Sequence, residues 1–447
     1  MERIKSVLYS ERIRKIVGVL IGILVFAGIV DRLNYLYVDV ETVQRWRILW
    51  HNYYEDRGKI DNLYLGSSHV YCDIDPQILD ELNGQYNFNL STPGQVMNGS
   101  FYLLKEADQD NELSHVYLEM YYWCSVNDKG MSEYYRNWYN IAFMEPSINK
   151  IEYMIANGGL NECLENLFSF SRYRTELGDG EYVKRVTTYK KGEEYQAYQY
   201  HRDYKDGNGY AEFMPRGFYY VTGVYSERNR IFKQGCVLTE DSMVDKSEQY
   251  CRKVIEYCRR KDIPITLFIS PINDLQLIST EGYDHYINEV REIAEEYEIP
   301  FYDFNLAKEQ YLPIQQNQYF QDLDHLNGYG AAVFTTFFHK VVSGEAAENE
   351  KYFYASYADK LKETAPAIYG IYYRSDEGSK TVWIASNRDS EVEYRITLTP
   401  KEGEPYMVQN FDTNKEFTVS RGEEGICTIT ARMKGSSEEI QTMEINY

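Results

Sequence analysis

Ser67 and Ser68 sit in a turn after the apolar run Leu63-Tyr64-Leu65 and Gly66, and far downstream the chain carries Asp322-Leu323-Asp324-His325 before Asn327-Gly328. A serine hydroxyl is a poor nucleophile until an imidazole takes its proton and a carboxylate fixes the imidazole tautomer. Ser68, His325 and Asp322 supply these three roles in the chain order Ser…Asp…His. This is the inventory of serine acyl transfer, through an acyl-serine intermediate. Asp322 and His325 lie three residues apart, so one tight loop can orient the base locally. Ser67 stands next to Ser68 as the alternative nucleophile.

These blocks resemble the SGNH/GDSL hydrolase superfamily, in which the nucleophile follows the first strand and an Asp-x-x-His closes the domain. Asn89-Leu90-Ser91-Thr92-Pro93-Gly94, after Tyr86-Asn87-Phe88, is similar to the second block of that family. The resemblance implies an oxyanion hole built from the backbone N–H groups of Ser68 and Gly94. Two departures stand out. Ser67 occupies the place of the usual aspartate, as in a membrane-anchored branch that modifies cell-envelope polymers. The third block, Val116-Tyr117-Leu118-Glu119-Met120 running into Tyr121-Tyr122-Trp123, carries no asparagine for the oxyanion. Asn273-Asp274 follows a later strand and reads as a loop after Pro271. His69 reads as a solvated or backbone-bonded residue at a helix start, and Asp324 as facing solvent.

The elements that would position these residues alternate. Asp75-Pro76 supplies an N-cap and a first-turn proline. Val244, Cys251, Val254, Ile255 and Cys258 share one helical face before the strand Ile265–Ile269. Ile287, Val290, Ile293, Ala294 and Tyr297 share another before Ile299–Phe304, and a last helix runs from Asn327 to Val342. Repeated helix–strand units call for a mostly parallel sheet covered on both faces. The expected fold is therefore α/β, and the resemblance makes it a flavodoxin-like SGNH three-layer α/β/α domain.

Between about 125 and 235 the periodicity breaks down into a helical piece near Ser147 to Leu167 and a polar, aromatic stretch from Gly178 to Gly217. This insertion is either a cap over the substrate pocket or a packing appendage, and Arg216-Gly217-Phe218 is its first candidate for substrate contact. After a charged helical linker, Gly344 to Thr364, short alternating runs (Thr381–Ile384, Val392 to Leu398, Met407–Phe411, Ile426–Met433, Thr442–Ile445) read as a small C-terminal β-sandwich, carbohydrate-binding or purely structural.

At the other end, Ile16 to Val30 is an unbroken apolar run preceded by Arg12, Arg14 and Lys15 and followed by Asp31-Arg32. Leu33–Val38 extends it toward the roughly 20 residues of a membrane span. Without a small-x-small cleavage site the run reads as an uncleaved anchor rather than a signal peptide. Arg3, Lys5, Arg12, Arg14 and Lys15 place the N-terminus in the cytoplasm and the rest outside.

A formal net charge of −22 excludes a general nucleic-acid binder, since phosphate contacts need a basic surface. Seven scattered cysteines show no metal spacing, and Cys251 and Cys258, two helical turns apart, cannot pair. Forty-five tyrosines offer either stacking platforms for sugars or amphipathic packing.

The expected organisation is a tail, transmembrane anchor and linker over 1–57, an SGNH-like domain over 58–345 and a β-sandwich over 365–447. The resemblance implies an extracytoplasmic serine esterase or O-acyltransferase on acyl esters, acetyl above all, of a cell-envelope polysaccharide. Its partners would be that acylated polymer, the membrane and a multi-pass acyl-donor protein. No metal or cofactor is required, and nucleic acid is excluded. The alternative is a degenerate domain that holds the polymer or scaffolds a membrane assembly, motivated by the missing third-block asparagine.

Overall fold

The computed structural model describes residues 11–126, 133–204, 209–344 and 346–447. Arg3 and Lys5, part of the expected charge bias, lie outside them. By its internal contacts the chain divides into two compact units, residues 1–51 with 137–200 and residues 52–136 with 201–447.

The larger unit holds a five-stranded, wholly parallel sheet. Its strands are β1 (Asn62–Leu65), β2 (Asn87–Asn89), β3 (His115–Glu119), β4 (Ile265–Ile269) and β5 (Phe301–Asp303), in the order β2-β1-β3-β4-β5. Successive residues of β1 and β4 are all buried, so both faces of the sheet are covered. The helices Met97–Asp110 and Asp245–Arg260 pack on each other, and Gly328–Val342 packs on Ser68–Asp73 and Pro76–Asn83. The order 2-1-3-4-5 is that of flavodoxin-like folds, which bind ligands beyond the carboxyl ends of the strands, where the strand order reverses. That switch point lies between β1 and β3.

Local chemistry fixes the elements. Asp75 caps its helix by accepting from the Gln77 N–H at 2.9 Å, with Pro76 in the first turn. Asn327 caps Gly328–Val342 by accepting from the N–H groups of Tyr329 and Gly330. Cys251, Val254, Ile255 and Cys258 are buried on one helix, and Ile287, Val290, Ile293 and Ala294 on another. All seven cysteines are free.

The C-terminal region forms two four-stranded sheets. Val392–Pro400, Tyr406–Asp412, Gly425–Met433 and Glu439–Asn446 make an antiparallel one. In the other, Ile368–Ser375, Ser379–Ser386 and Glu416–Ser420 are antiparallel, and Ile231–Lys233 joins them parallel to Ile368–Ser375. Ile371, Ile384, Tyr394, Ile396 and Ile429 fill the shared core. The end of the expected insertion is thus a strand of a C-terminal sheet.

The smaller unit joins the apolar N-terminal helix and the start of the helix Gln44–Glu55 to residues 137–200. In the helix Gln44–Glu55, Trp46, Ile48, Leu49 and Trp50 are buried. The Arg47 guanidinium lies over the rings of Tyr195 and Tyr198, 3.6 and 3.8 Å from their centroids. Arg185 pairs with Asp39 at 2.6 Å and Glu41 at 3.0 Å.

The apolar N-terminal run forms one helix, Glu11–Tyr37, whose segment Ile13–Tyr37 is long and apolar enough to cross a membrane.

Candidate active site

Ser68 opens the helix Ser68–Asp73 directly after β1, with Ser67 as its N-cap. The approach of backbone to side chain is close here: a Cβ on Gly66 would lie 2.5 Å from the Glu119 Cβ and 2.6 Å from Val70. Only glycine fits that turn. Glu119, the last residue of β3, uses the space to accept the Ser67 N–H at 2.6 Å.

The Asp322–His325 loop comes back to this turn. Asp73, fully buried in the Ser68 helix, accepts the Leu326 N–H at 3.0 Å and so ties the two motifs together. Burial lifts the Asp73 carboxyl well above its ordinary pKa, against the opposing pull of His69 and His325. Behind the loop, Leu323 packs with Leu275 and Ala385, so the C-terminal sheets buttress it.

The structure brings Ser68, His325 and Asp322 together. His325 Nε2 lies 2.7 Å from Ser68 Oγ, and its Nδ1 lies 3.0 and 3.1 Å from the two Asp322 oxygens. Asp322 Oδ1 also accepts the backbone N–H groups of Asp324 and His325, at 2.8 and 2.7 Å. Burial pushes the Asp322 pKa up, but the His325 charge and hydrogen bond outweigh it and hold it below its ordinary value. An ionised carboxylate only accepts, so Nδ1 carries the proton and the Nε2 lone pair faces the serine hydroxyl. Burial works against the His325 cation, yet Asp322 and then Asp324 raise its pKa above the ordinary value.

A second histidine lies against this set. The His69 ring stacks on that of His325, centroids 5.0 Å apart, and is fully buried. Its Nε2 is 3.3 Å from Asp324 Oδ1, and its Nδ1 is 3.6 Å from Glu119 Oε1 and 3.3 Å from Ser67 Oγ. Burial disfavours the charged ring, but Asp324, Glu119 and Asp73 prevail and push its pKa up to about 10. A carboxylate at each nitrogen is the environment of an imidazolium. The His69 side chain is therefore neither solvated nor backbone-bonded as expected at a helix start, because its nitrogens face Asp324 of the Asp322–His325 loop and Glu119 at the end of β3. Asp324, expected to face solvent, is only half exposed: its Oδ1 also accepts from the Tyr121 hydroxyl at 3.0 Å and from Gln276 Nε2 at 2.6 Å.

The two serines face different histidines. Ser67 Oγ is buried and lies 3.3 Å from His69 Nδ1, a ring whose nitrogens face Glu119 and Asp324. Ser68 Oγ lies 2.7 Å from His325 Nε2, whose other nitrogen faces Asp322.

Gly94 follows β2, the parallel neighbour of β1, so its loop leaves the sheet at the same edge as Ser68; its φ is +57°. Asn273 is buried and caps the helix Asp274–Ile278, accepting the Leu275 N–H at 3.0 Å; the residue of this helix that enters the network is Gln276. Arg216, the expected substrate contact, pairs with Asp80, and its guanidinium lies 4.0 Å from the Tyr86 ring centroid. Tyr86 directly precedes β2, so Arg216 latches the insertion at the amino edge of the sheet, opposite to Ser68.

Donor atoms of His69, Asp324 and His325 lie within 4.8 Å of one another, a spacing that could hold a metal ion. Such an ion would compete for the His325 contacts above. A separate cavity of about 520 Å³, lined among others by Arg230, Lys308, Tyr354 and Lys360, shares no residue with this network.

No protein-family model and no curated protein matches the chain in sequence. Solved structures match part of it, among them two from Bacteroides species. A proposed acylhydrolase of Bacteroides fragilis NCTC 9343 is 12% identical, with TM-score 0.31, over 66% of this chain and 92% of its own. A GDSL-like lipase of Bacteroides thetaiotaomicron VPI-5482 is 11% identical, with TM-score 0.28, over 64% and 88%.

Proposed function

We propose that the chain is a membrane-tethered serine esterase or O-acyltransferase of the SGNH type. The observation that carries this reading is the relay Ser68 Oγ, His325 Nε2 and Nδ1, Asp322, with contacts of 2.7 and 3.0 Å. His325 takes the Ser68 proton as Oγ attacks an ester carbonyl, and the N–H groups of Ser68 and Gly94 receive the developing oxyanion. The leaving alkoxide takes the proton from His325, leaving an acyl group on Ser68. Water, or a sugar hydroxyl deprotonated by His325, then accepts that acyl group.

The Gly66-Ser67-Ser68 block resembles the envelope-modifying branch, which supports an O-acylated, chiefly acetylated, cell-envelope polysaccharide as substrate. The apolar helix Ile13–Tyr37 supports a single-pass anchor with the catalytic unit outside the membrane. A multi-pass donor of acyl groups is the partner such an anchor would serve. One observation favours a second reading, a non-catalytic polymer-binding scaffold: β3 ends in Glu119, and Tyr121 rather than an asparagine follows it.

Exposure to a serine-reactive phosphonate followed by mass spectrometry separates them. Labelling of wild type and Ser67→Ala but not Ser68→Ala is the expected result. Unlabelled wild type of proven fold, with a second probe agreeing, would favour the scaffold.

A further inference from the structure

The smaller unit carries an apolar surface that the anchor alone does not explain. The helix Ile148–Leu167 exposes Ile148, Ile151, Ile155, Leu160, Leu164 and Leu167, each with more than half of its surface accessible. Up to Ile155 the spacing is three and four residues, one face of a helix. A bend at Gly159, whose φ is +63°, resets the register, and Leu160, Leu164 and Leu167 continue at four and three. Soluble surfaces rarely expose so continuous a stripe.

The far end of this helix is fastened to the anchor. Asn34 Nδ2 donates to the Leu167 carbonyl at 3.2 Å, and Asn34 Oδ1 accepts the Phe170 N–H at 2.9 Å. Between these, the Phe168 ring meets Phe26 edge-on, centroids 6.0 Å apart. Phe26 belongs to the bare apolar stretch of the anchor, where Leu20, Ile21, Ile23, Leu24 and Val25 are all exposed. Along a helix axis Phe26 lies about 7–8 Å from Asp31, the first charged residue after that stretch, at 1.5 Å per residue. A helix lying in the membrane interface buries its apolar face about 5–10 Å into the headgroup and acyl boundary. Phe168 is therefore held at the depth such a helix reaches, and Val30, only 6% exposed, marks where protein begins to cover the anchor.

We propose that Ile148–Leu167 is a second membrane element, an interfacial helix whose Ile148–Leu167 stripe is covered by lipid acyl chains of the leaflet into which the anchor opens. The occupant is lipid because the stripe continues from a contact inside the anchor's own apolar stretch. This rests on the anchor reading of Ile13–Tyr37 and not on the Ser68 chemistry. Its consequence is orientation: two membrane contacts hold the unit, where one flexible tether would let it tumble.

The test uses the full chain in phosphatidylcholine vesicles containing doxyl-labelled lipid. In a Cys163→Ser, Cys236→Ser background the remaining cysteines are buried. A bimane fluorophore is placed by Leu160→Cys, Leu164→Cys, Leu24→Cys in the anchor, or Glu402→Cys in an exposed turn. Quenching of at least twofold at Leu160, Leu164 and Leu24, with none at Glu402, is the expected result. Quenching at Leu24 but not at Leu160 or Leu164 would overturn the inference, leave the anchor standing, and point to protein, such as a second copy, on the stripe. No quenching at any position would remove the anchor and the inference together. Equal quenching at Glu402 would show general adsorption and overturn the assignment to this helix.

Discussion

Asp322→Asn tests the relay at its least redundant contact. The carboxylate stands 3.0 Å from His325 Nδ1, so its charge stabilises the imidazolium that forms as Ser68 loses its proton. Two unit charges at that distance interact by about 1.4 kcal/mol in water and about 5.5 kcal/mol at an effective dielectric of about 20. With about 1.36 kcal/mol per tenfold in rate, losing the charge slows catalysis by about tenfold to about 10⁴-fold. Half of the Asp322 side chain is exposed and a fifth of that of His325, so solvent screening argues against the upper limit from charge alone. Tautomer adds to it. The new amide nitrogen would take the place of Oδ2, 3.1 Å from Nδ1, donor against donor. Relief comes from moving the imidazole proton to Nε2, where no lone pair faces Ser68, and in Ser-His-Asp enzymes the wrong tautomer costs about 10⁴ in kcat. The expected loss is therefore at least about 10²-fold in kcat with KM little changed. The assay is hydrolysis of 4-nitrophenyl acetate by the detergent-solubilised full chain, with Asp324→Asn in parallel and thermal melting to confirm folding. Activity of Asp322→Asn within twofold of wild type, with Asp324→Asn inactive, would refute the assignment and move the orienting carboxylate to the His69 network.

The remaining predictions follow from the same contacts. Because the His325 pKa is raised above 6.5, activity should fall as pH drops through a midpoint above that value; a midpoint at or below 6.5 would contradict the pairing. His69 has a folded pKa of about 10 against an ordinary 6.5, so its stabilising contribution is complete below 6.5 and is lost as pH rises through about 10. Tm of wild type should accordingly fall more steeply than that of His69→Gln between neutral pH and pH 10; parallel curves would sink the imidazolium assignment. Gly66→Ala should abolish phosphonate labelling, because its Cβ must displace Glu119 from the Ser67 N–H; wild-type labelling would show that the turn gives way. Lys360 and Asp274 are buried partners at 2.7 Å, so Lys360→Met should lose about 3–5 kcal/mol in urea unfolding, with Lys360→Met/Asp274→Leu recovering much of it.

What could be read from the residues was local. The cap at Asp75, the amphipathic faces before β4 and β5, and the apolar N-terminal helix each depend on neighbours a few residues away, and the structure holds them there. The division of the chain was not local in this sense. Nothing near Trp46 and Arg47 in sequence shows that Tyr139 lies against the one and Tyr195 and Tyr198 against the other. Ile231–Lys233 is too short to announce itself, and it becomes a strand only through its pairing with Ile371–Tyr373.

The site divides along the same line. Ser68, Asp322 and His325 stand out because each type has a chemical role at a recognisable spacing, whereas His69, Glu119 and Gln276 carry their meaning only through one another. A buried histidine is unfavourable until carboxylates face both nitrogens, and a buried glutamate until a backbone N–H and a cation face it. Those partners come from the ends of β1 and β3, the Asp274–Ile278 helix and the Asp322–His325 loop. The third-block asparagine and this network are two different uses of the same strand end. With Glu119 and Tyr121 there, the carboxyl end of β3 supplies negative charge and a hydroxyl to the histidine pair, not an amide to the oxyanion. Glu119, after Asp324, helps to lift His69, so a glutamine at 119 should lower the His69 pKa; with less positive charge on His69 opposing the His325 cation, the acidic limb of the pH profile should move to higher pH. Retention of the wild-type limb in Glu119→Gln, with folding intact, would show that the network is structural and plays no part in setting the base.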